Sequence, residues 1–479
     1  VTRDPARGID VTHPAVTFAY LYTPEIISFG YMYLSAILKR LGFPVRLILA
    51  RNSSDFLRRY REHPTPVVAF GVTTGLHRYY LGWARMLRTA GRPHAVFGGP
   101  HPTYFPDFIR EEGVDAVCIG EAEESFPEYL EAFEEAMGPP RRPVAGWRHK
   151  RGGEILDGGI RPPVKDLDAL PSPDWELFFD ANPLLAEHHV KSFLATRGCP
   201  YRCTYCFNRE WNARYKGRAR VIRVRDPGLV VEEIERVRRR WGLRIVWFLD
   251  ANFACNVKWL KAFLPLYRRK IGLPFFCKVR PNVVSDELAA FLVEHGMTSV
   301  GIGIESGNDR MRNEVLERGI SREQILGACR AFGKRGVLIM GFNMLGLPGE
   351  DYAMAKETLA LNVEGGIDYA MTMLLQPFPG TEIARRAQAM GLFDGNFDDM
   401  SPSYFSPSPI RFPTPRDKRR IVNLQRLFAL SVAFPEVRRF IDTLVEAPEN
   451  RFYVELFKTF NLRAFRRQFY RAYTLKPVP

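Results

Sequence analysis

The sequence predicts an α/β protein: an N-terminal doubly wound parallel sheet, a partial (β/α)6 barrel behind it, and a mainly helical C-terminal extension. Three observations carry this. Short apolar runs alternate with helical patterns over the first ~135 residues; the alternation resumes near residue 190; beyond about Arg385 no clear strand follows. Near-continuous apolar strands separated by helices require a parallel sheet covered on both faces. The expected division is residues 1–137, a 138–189 linker, a 190–385 barrel and a 386–479 helical region.

In chain order, Val16–Leu21 reads as the first strand. Tyr31, Leu34, Leu38 and Leu41 then fall at helical spacing and stop at Gly42. Strands are expected at Val45–Leu49, Val67–Val72, Ala95–Phe97 and Asp115–Ile119, with a helix from about Glu124 to Ala136. Gly and Pro punctuate 138–183, which reads as a linker holding a small hairpin. The second series offers strands at Ser192–Thr196, Ile245–Leu249, Phe275–Val279, Ser299–Ile304, Leu338–Met344 and Ala370–Leu375. Helices between them include Leu229–Arg240 and Asp286–His295. Six such repeats suit a partial barrel rather than the eight-unit form.

Composition narrows the class. The chain has 479 residues, enough for two or three domains, and 46% are hydrophobic. It carries 68 Lys and Arg against 53 Asp and Glu, a formal charge of +15 that favours anionic partners. No nucleic-acid-binding signature accompanies that charge, and no apolar run approaches the ~20 residues needed to span a bilayer. The N-terminal stretch Val1–Pro14 has no apolar signal region. Seven cysteines, three of them within eight residues, point away from a secreted disulfide framework and towards a reducing cytoplasm and a metal.

Those three form Thr196-Arg-Gly-Cys199-Pro-Tyr-Arg-Cys203-Thr-Tyr-Cys206-Phe-Asn, directly after a predicted strand. Three thiolates can hold three irons of a cubane cluster and leave the fourth open to a ligand. A structural zinc site would need a fourth ligand at suitable spacing, which is missing, and a Cys203–Cys206 redox pair is the other alternative.

The CxxxCxxC spacing with an aromatic residue before its last cysteine resembles the radical S-adenosylmethionine superfamily. Gly301-Ile-Gly-Ile-Glu305-Ser306-Gly, Gly341-Phe-Asn-Met-Leu345-Gly-Leu-Pro-Gly-Glu350, Leu249-Asp250-Ala-Asn252 and Gln376-Pro-Phe-Pro-Gly-Thr381 are similar to its later strand-end motifs. In the first domain, Gly71-Val-Thr73-Thr74-Gly75, Gly98-Gly99-Pro-His101-Pro-Thr103 and Gly120-Glu121 each follow a strand, where open α/β sheets bind ligands. This set resembles the cobalamin-binding domain fused to class B radical S-adenosylmethionine enzymes.

The resemblance implies three cofactors: a 4Fe-4S cluster on Cys199, Cys203 and Cys206, S-adenosylmethionine, and cobalamin. Contacts to S-adenosylmethionine are expected from Tyr205, Asp250, Asn252, Glu305, Ser306 and Leu345. Contacts to cobalamin are expected from Thr73, Thr74, Gly98, Gly99, His101, Thr103, Gly120 and Glu121. The Asp-x-His-x-x-Gly motif that supplies a lower cobalt ligand in many cobalamin proteins is missing, and His101 stands in a different context. The activity implied is methylation of an unactivated carbon, or of phosphorus, on a small-molecule substrate that carries an anionic group in one reading. Such chemistry needs an electron donor of flavodoxin or ferredoxin type. A non-methylating radical transformation such as porphyrin-type oxidative cyclisation is the alternative of the same class, and a cofactor-binding sensor without turnover that of another.

From Arg411 onward, 15 Lys and Arg stand against 6 Asp and Glu, interleaved with aromatics from Phe452 to Tyr473. Three accounts fit: a helix capping the open barrel, arginines that engage an anionic substrate, or peripheral contact with an anionic membrane surface.

Overall fold

The structure, a computed structural model, describes residues 2–3, 10–11, 13, 15–22, 27–412 and 414–461. It separates into two compact units, one comprising Val1–His188 with Tyr215–Arg220, the other His189–Arg214 with Val221–Pro479.

In the first unit, β1 (Val16–Leu21) pairs in parallel with both β2 (Val45–Ala50) and β3 (Val67–Gly71). β4 (His94–Gly98) and β5 (Ala116–Cys118) extend the parallel run beyond β3. The resulting order 2-1-3-4-5 reverses its winding between β1 and β3, and such a reversal opens a crevice beyond the carboxyl ends of the strands. Helices Phe29–Arg40, Ser53–Glu62, His77–Leu87 and Ser125–Ala136 flank the strands in sequence. Phe56 stacks on Trp83 at 4.7 Å beneath Phe70 and Phe97, giving this unit an aromatic core.

Segment 138–189 does contain a hairpin, β6 (Trp147–Arg151) and β7 (Glu154–Asp157). It pairs antiparallel with β5 and brings the sheet to seven strands. Trp147 anchors it, stacked on Tyr129 at 4.2 Å with its indole N–H donating to the Ser125 carbonyl.

In the second unit, β8 (Val190–Phe193), β11 (Ile245–Phe248), β12 (Phe275–Val279), β13 (Met297–Glu305), β14 (Leu338–Leu345) and β15 (Tyr369–Leu374) lie side by side in chain order, all parallel. That is the strand arrangement of a partial (β/α) barrel, whose functional rim is the carboxyl end of the strands. A short antiparallel ribbon, β9 (Thr196–Arg197) with β10 (Arg223–Val224), brackets the cysteine loop. The first barrel strand ends three residues before the expected Thr196. The Asp250 carboxylate takes the Ala195 and Thr196 amides at 3.4 and 2.6 Å, so they are lost to the ladder.

Helix starts follow local capping. Asp226 caps Pro227–Trp241, with Pro at the first turn where no N–H is needed. Ser321 and Gln324 form a reciprocal capping box on Arg322–Gly333. In the extension, helix Pro415–Ala433 packs on β15, and Gln425 donates to the Thr372 carbonyl at 3.0 Å. This helix covers the edge strand of the barrel sheet. Phe465, Phe469, Tyr470, Tyr473, Arg463, Arg466, Arg467 and Arg471 lie outside the described residues. Among the described residues, no helix is long and apolar enough to cross a membrane.

Candidate functional site

The cysteine loop starts at Gly198, whose φ of +99° and position against the Val221 carbonyl leave no room for a Cβ. Cys199, Cys203 and Cys206 follow, all free, and all three line one cavity of about 550 Å³. Tyr205, Asn252 and Glu305, each expected at this rim, line the same cavity. Among the described residues no three His, Cys, Asp or Glu side chains are grouped to hold a single metal ion.

Hydrogen bonds reach two of the sulfurs. Arg280 donates to Cys203 Sγ and Asn208 to Cys206 Sγ, both at 3.4 Å. Burial pushes the Cys199 and Cys206 thiols up, and at Cys206 the Asn208 contacts oppose it. Donors of this kind favour the thiolate that a metal needs.

The opposite wall is built on β13 and the loop behind it. Glu305 sits at φ +63°, a left-handed conformation costly for a side-chain-bearing residue, where the β13–β14 register shifts. Its Oε1 accepts from Arg318 at 3.0 Å. Arg318 also donates to Tyr205 Oη at 2.6 Å and to the Gly303 carbonyl at 2.6 Å. Burial raises the Glu305 carboxyl above its usual range, while Arg318 opposes the rise. Burial also works against the Arg318 charge, but Tyr205 and Glu305 outweigh it and hold the guanidinium ionised.

Asn252 is 3% exposed, and among the described residues neither its amide nitrogen nor its oxygen has a hydrogen-bond partner. A buried carboxamide without partners costs a few kcal/mol unless a ligand satisfies it. Ser306 Oγ is likewise buried and unpartnered, but Ser306 does not line the cavity. Fully buried Arg312 holds the Ser306–Gly307 turn by donating to both carbonyls.

Two further residues expected at S-adenosylmethionine do not line the cavity. Asp250 is fully buried with its carboxylate turned onto Thr196, whose backbone N and Oγ1 both donate at 2.6 Å, so it positions the strand before the cysteine loop. Leu345 is fully buried at the end of β14, while its neighbour Met344 faces the cavity. Arg280, Arg318 and Lys278 are cavity residues that the motif reading did not include. For Arg280 a signal existed, since Arg280-Pro-Asn directly follows a predicted strand; Arg318 sits in a loop with no strand-end pattern to mark it.

In the first unit the expected residues gather at the carboxyl ends of β3, β4 and β5, and they largely bind one another. Thr103 Oγ1 donates to the Gly99 carbonyl at 2.8 Å and accepts the Gly120 N–H at 3.0 Å, tying two loops together. Thr74 Oγ1 meets His101 Nδ1 at 2.9 Å. The His101 ring is buried, stacked on His77 at 4.3 Å and edge-on to Phe108. Glu121 accepts the Val164 N–H at 2.8 Å, a bracing role. Thr73 is exposed, and Gly98 and Gly99 are partly so. A Cβ on Gly98 would meet nothing closer than 3.8 Å, whereas Gly99, at φ +93°, faces the Val72 backbone at 3.0 Å.

The family described as the B12 binding domain matches residues 22–130, and the radical SAM superfamily matches residues 193–361. An uncharacterized methyltransferase of Pyrococcus horikoshii is 27% identical over 301 residues, 62% of this chain and 63% of that protein, so the match leaves over a third of that relative's length uncovered. The cytidylyl-2-hydroxyethylphosphonate methyltransferase of Streptomyces wedmorensis is 22% identical over 429 residues, 76% of this chain and 78% of that protein. The solved structure of the cobalamin-dependent S-adenosylmethionine radical enzyme OxsB superposes with a TM-score of 0.68 at 14% identity, covering 95% of this chain and 71% of that one. A B12 binding domain followed by a radical SAM domain, with a thiol triad lining the cavity of the second, places this chain among the cobalamin-dependent radical S-adenosylmethionine enzymes.

Proposed function

We propose that this protein is a methyltransferase that acts on an unactivated carbon, or on phosphorus, of a small-molecule substrate. The observation that carries the proposal is the convergence of Cys199, Cys203, Cys206, Glu305 and the unsatisfied Asn252 on one cavity, in a chain that also holds a B12 binding domain. When bound, the implied groups supply reductive cleavage of S-adenosylmethionine and a methyl carrier on cobalt.

The chain's own residues have separable tasks. Cys199, Cys203 and Cys206 would hold the iron–sulfur cluster through their thiolates. Arg280 and Asn208 lower the energy of the charge on Cys203 and Cys206. Asn252 offers a donor and an acceptor to the same cosubstrate, and the Glu305 carboxylate, held by Arg318, accepts from hydroxyls or an ammonium. Phe342, Met344, Met373, Leu374 and Phe378 line the remaining wall and exclude water from a reactive intermediate. In the first unit, the exposed Thr73 and the open edge of Gly98 are the surfaces offered to a corrin. The low-potential electron comes from a flavodoxin- or ferredoxin-type donor in a reducing cytoplasm.

The test is anaerobic reconstitution with iron, sulfide and hydroxocobalamin, followed by turnover with methyl-deuterated S-adenosylmethionine. Transfer of the intact deuterated methyl to a substrate, with 5′-deoxyadenosine and S-adenosylhomocysteine formed together, is expected. Formation of 5′-deoxyadenosine and product with no label would point to the non-methylating class instead.

A further inference from the structure

Lys278 stands on β12 with its side chain lining the cavity. Its strand partner is Gly301 on β13, and a Cβ there would lie 3.1 Å from Lys278 Cγ, 2.9 Å from Phe276 and 2.6 Å from Phe342. The missing side chain at Gly301 is what lets the lysine stem run across the cavity floor between two aromatic rings. Arg280 lies two residues further along, roughly 7 Å closer to the thiol loop on the same face of the chain.

The three cavity cations differ in what they hold. Arg318 is paired with Glu305 and bonded to Tyr205. Arg280 reaches Cys203 Sγ, Asn282 Oδ1 at 2.8 Å and the Arg318 carbonyl, and lies 3.7 Å above the Tyr201 ring. Lys278 makes no hydrogen bond or ion pair among the described residues. Its nearest carboxylate in charge terms is Asp250, already committed to Thr196. Among the described residues, the only carboxylate lining the cavity is Glu305. The ammonium stands in a cavity walled by Phe342, Met344, Met373 and Leu374 with no ion pair among the described residues; burial lowers the Lys278 pKa and the more distant Asp250 charge opposes that only in part.

We propose that Lys278 is the anchor for an anionic group of the substrate, a carboxylate or a phosphate-type oxyanion, at the floor of this cavity. The proposal rests on the reading of this cavity as the substrate chamber and names the class of molecule it takes. Lysine suits the task as a compact point charge on a flexible stem, able to meet either anion. The anion would end in the apolar chamber on Lys278, leaving the rest of the molecule to extend towards the thiol loop.

The test uses the full chain, anaerobically reconstituted, and acetylation of its lysines by an N-hydroxysuccinimide ester, mapped by peptide mass spectrometry. Inorganic phosphate or acetate should slow acetylation of Lys278 about tenfold relative to chloride at equal ionic strength, with surface lysines such as Lys258 and Lys261 unaffected. Protection by phosphate alone assigns a phosphate-type group, and by acetate alone a carboxylate; either supports the anchor. No selective protection overturns it, and so does protection by S-adenosylmethionine without any from phosphate or acetate, which would give the lysine to the cosubstrate. In titration calorimetry, Lys278→Met should weaken the binding of the protecting anion about tenfold and Lys278→Arg should retain it. Measuring 5′-deoxyadenosine on the same preparation separates the two readings: shielding of Lys278 without cleavage sinks the proposed function and leaves the anchor standing.

Discussion

Both units end a parallel sheet in a cluster of loop residues, yet they use their polar groups in opposite ways. At the strand ends of the first unit, Thr103 bridges Gly99 to Gly120, Thr74 meets His101, and Glu121 takes a backbone N–H. At those of the second, among the described residues, Asn252 keeps both amide atoms unsatisfied and Lys278 forms no ion pair, and Glu305 is held in a left-handed backbone. The first rim is closed on itself and presents backbone and small surfaces, as a large planar ligand requires. The second stores unsatisfied polarity in a cavity, as a site that grips a small charged molecule requires.

The sharpest way to break this contrast is at the thiols. Replacing Cys199, Cys203 and Cys206 together by Ala should abolish both the visible iron–sulfur absorbance and 5′-deoxyadenosine formation, while cobalamin retention by the first unit persists. Surviving 5′-deoxyadenosine would remove the second unit's claim to the chemistry.

Next in size are the adjacent glycines of the first rim. Gly99→Ala places a methyl 3.0 Å from the Val72 backbone at φ +93°, so it should destabilise the unit by about 2–4 kcal/mol in denaturant melts. Gly98→Ala meets only Cys118 Cβ at 3.8 Å and should fold normally. A bulky residue at Gly98 should then block corrin retention without loss of stability. Normal cobalamin absorbance in Gly98→Phe would show that the ligand does not approach this edge.

At the second rim, Glu305→Ala removes a charge-assisted acceptor worth roughly 1.5–3 kcal/mol, so S-adenosylmethionine should bind about ten- to a hundredfold more weakly. Asp250→Asn should act differently, loosening the Thr196 segment and lowering thermal stability, because Asp250 does not line the cavity. Equal effects of the two substitutions on the dissociation constant and on melting would erase the distinction between contact and support.

The direction of the Asp250 side chain is where sequence pattern stops being informative. Asp250 and Asn252 are two positions apart after one strand, and both looked like rim residues. Whether a side chain turns to the rim or to a neighbouring strand depends on Thr196, fifty-four residues away. The strand positions themselves were legible to within a residue or two almost throughout, because apolar runs and helical spacing are local. The hairpin at 147–157 was legible, but its antiparallel attachment to β5 was not, since pairing is a long-range choice. The thiol triad could be read from its spacing, and Tyr205, Asn252 and Glu305 from the resemblance of their motifs to the family. Arg318 could not, because its importance comes from meeting Tyr205 and Glu305 across the fold.

The contrast extends to titration, where the two units should respond to pH with opposite sign. In the first, His94 is buried against Tyr129, its Nε2 2.8 Å from the phenol oxygen, and burial with a smaller push from His149 lowers its pKa from 6.5 to about 3. Between those values the unfolded chain binds a proton that the folded unit refuses, so stability falls as pH drops from about 6.5 towards 3. In the second, Glu350 accepts the Gly346 and Leu347 N–H groups at 2.6 and 3.1 Å in the turn after β14, and burial raises its pKa from 4.5 to about 8. Here the folded unit holds the extra proton, so stability is greatest below pH 4.5 and falls as pH rises towards 8. Each group contributes a slope of at most roughly 1.4 kcal/mol per pH unit within its window. Calorimetric melts from pH 4 to 8.5 should therefore show Glu350→Gln flattening the alkaline decline alone, and His94→Gln flattening the acid decline alone. If one substitution flattens both limbs, the two units unfold as a single cooperative body and their polar cores cannot be treated as independent.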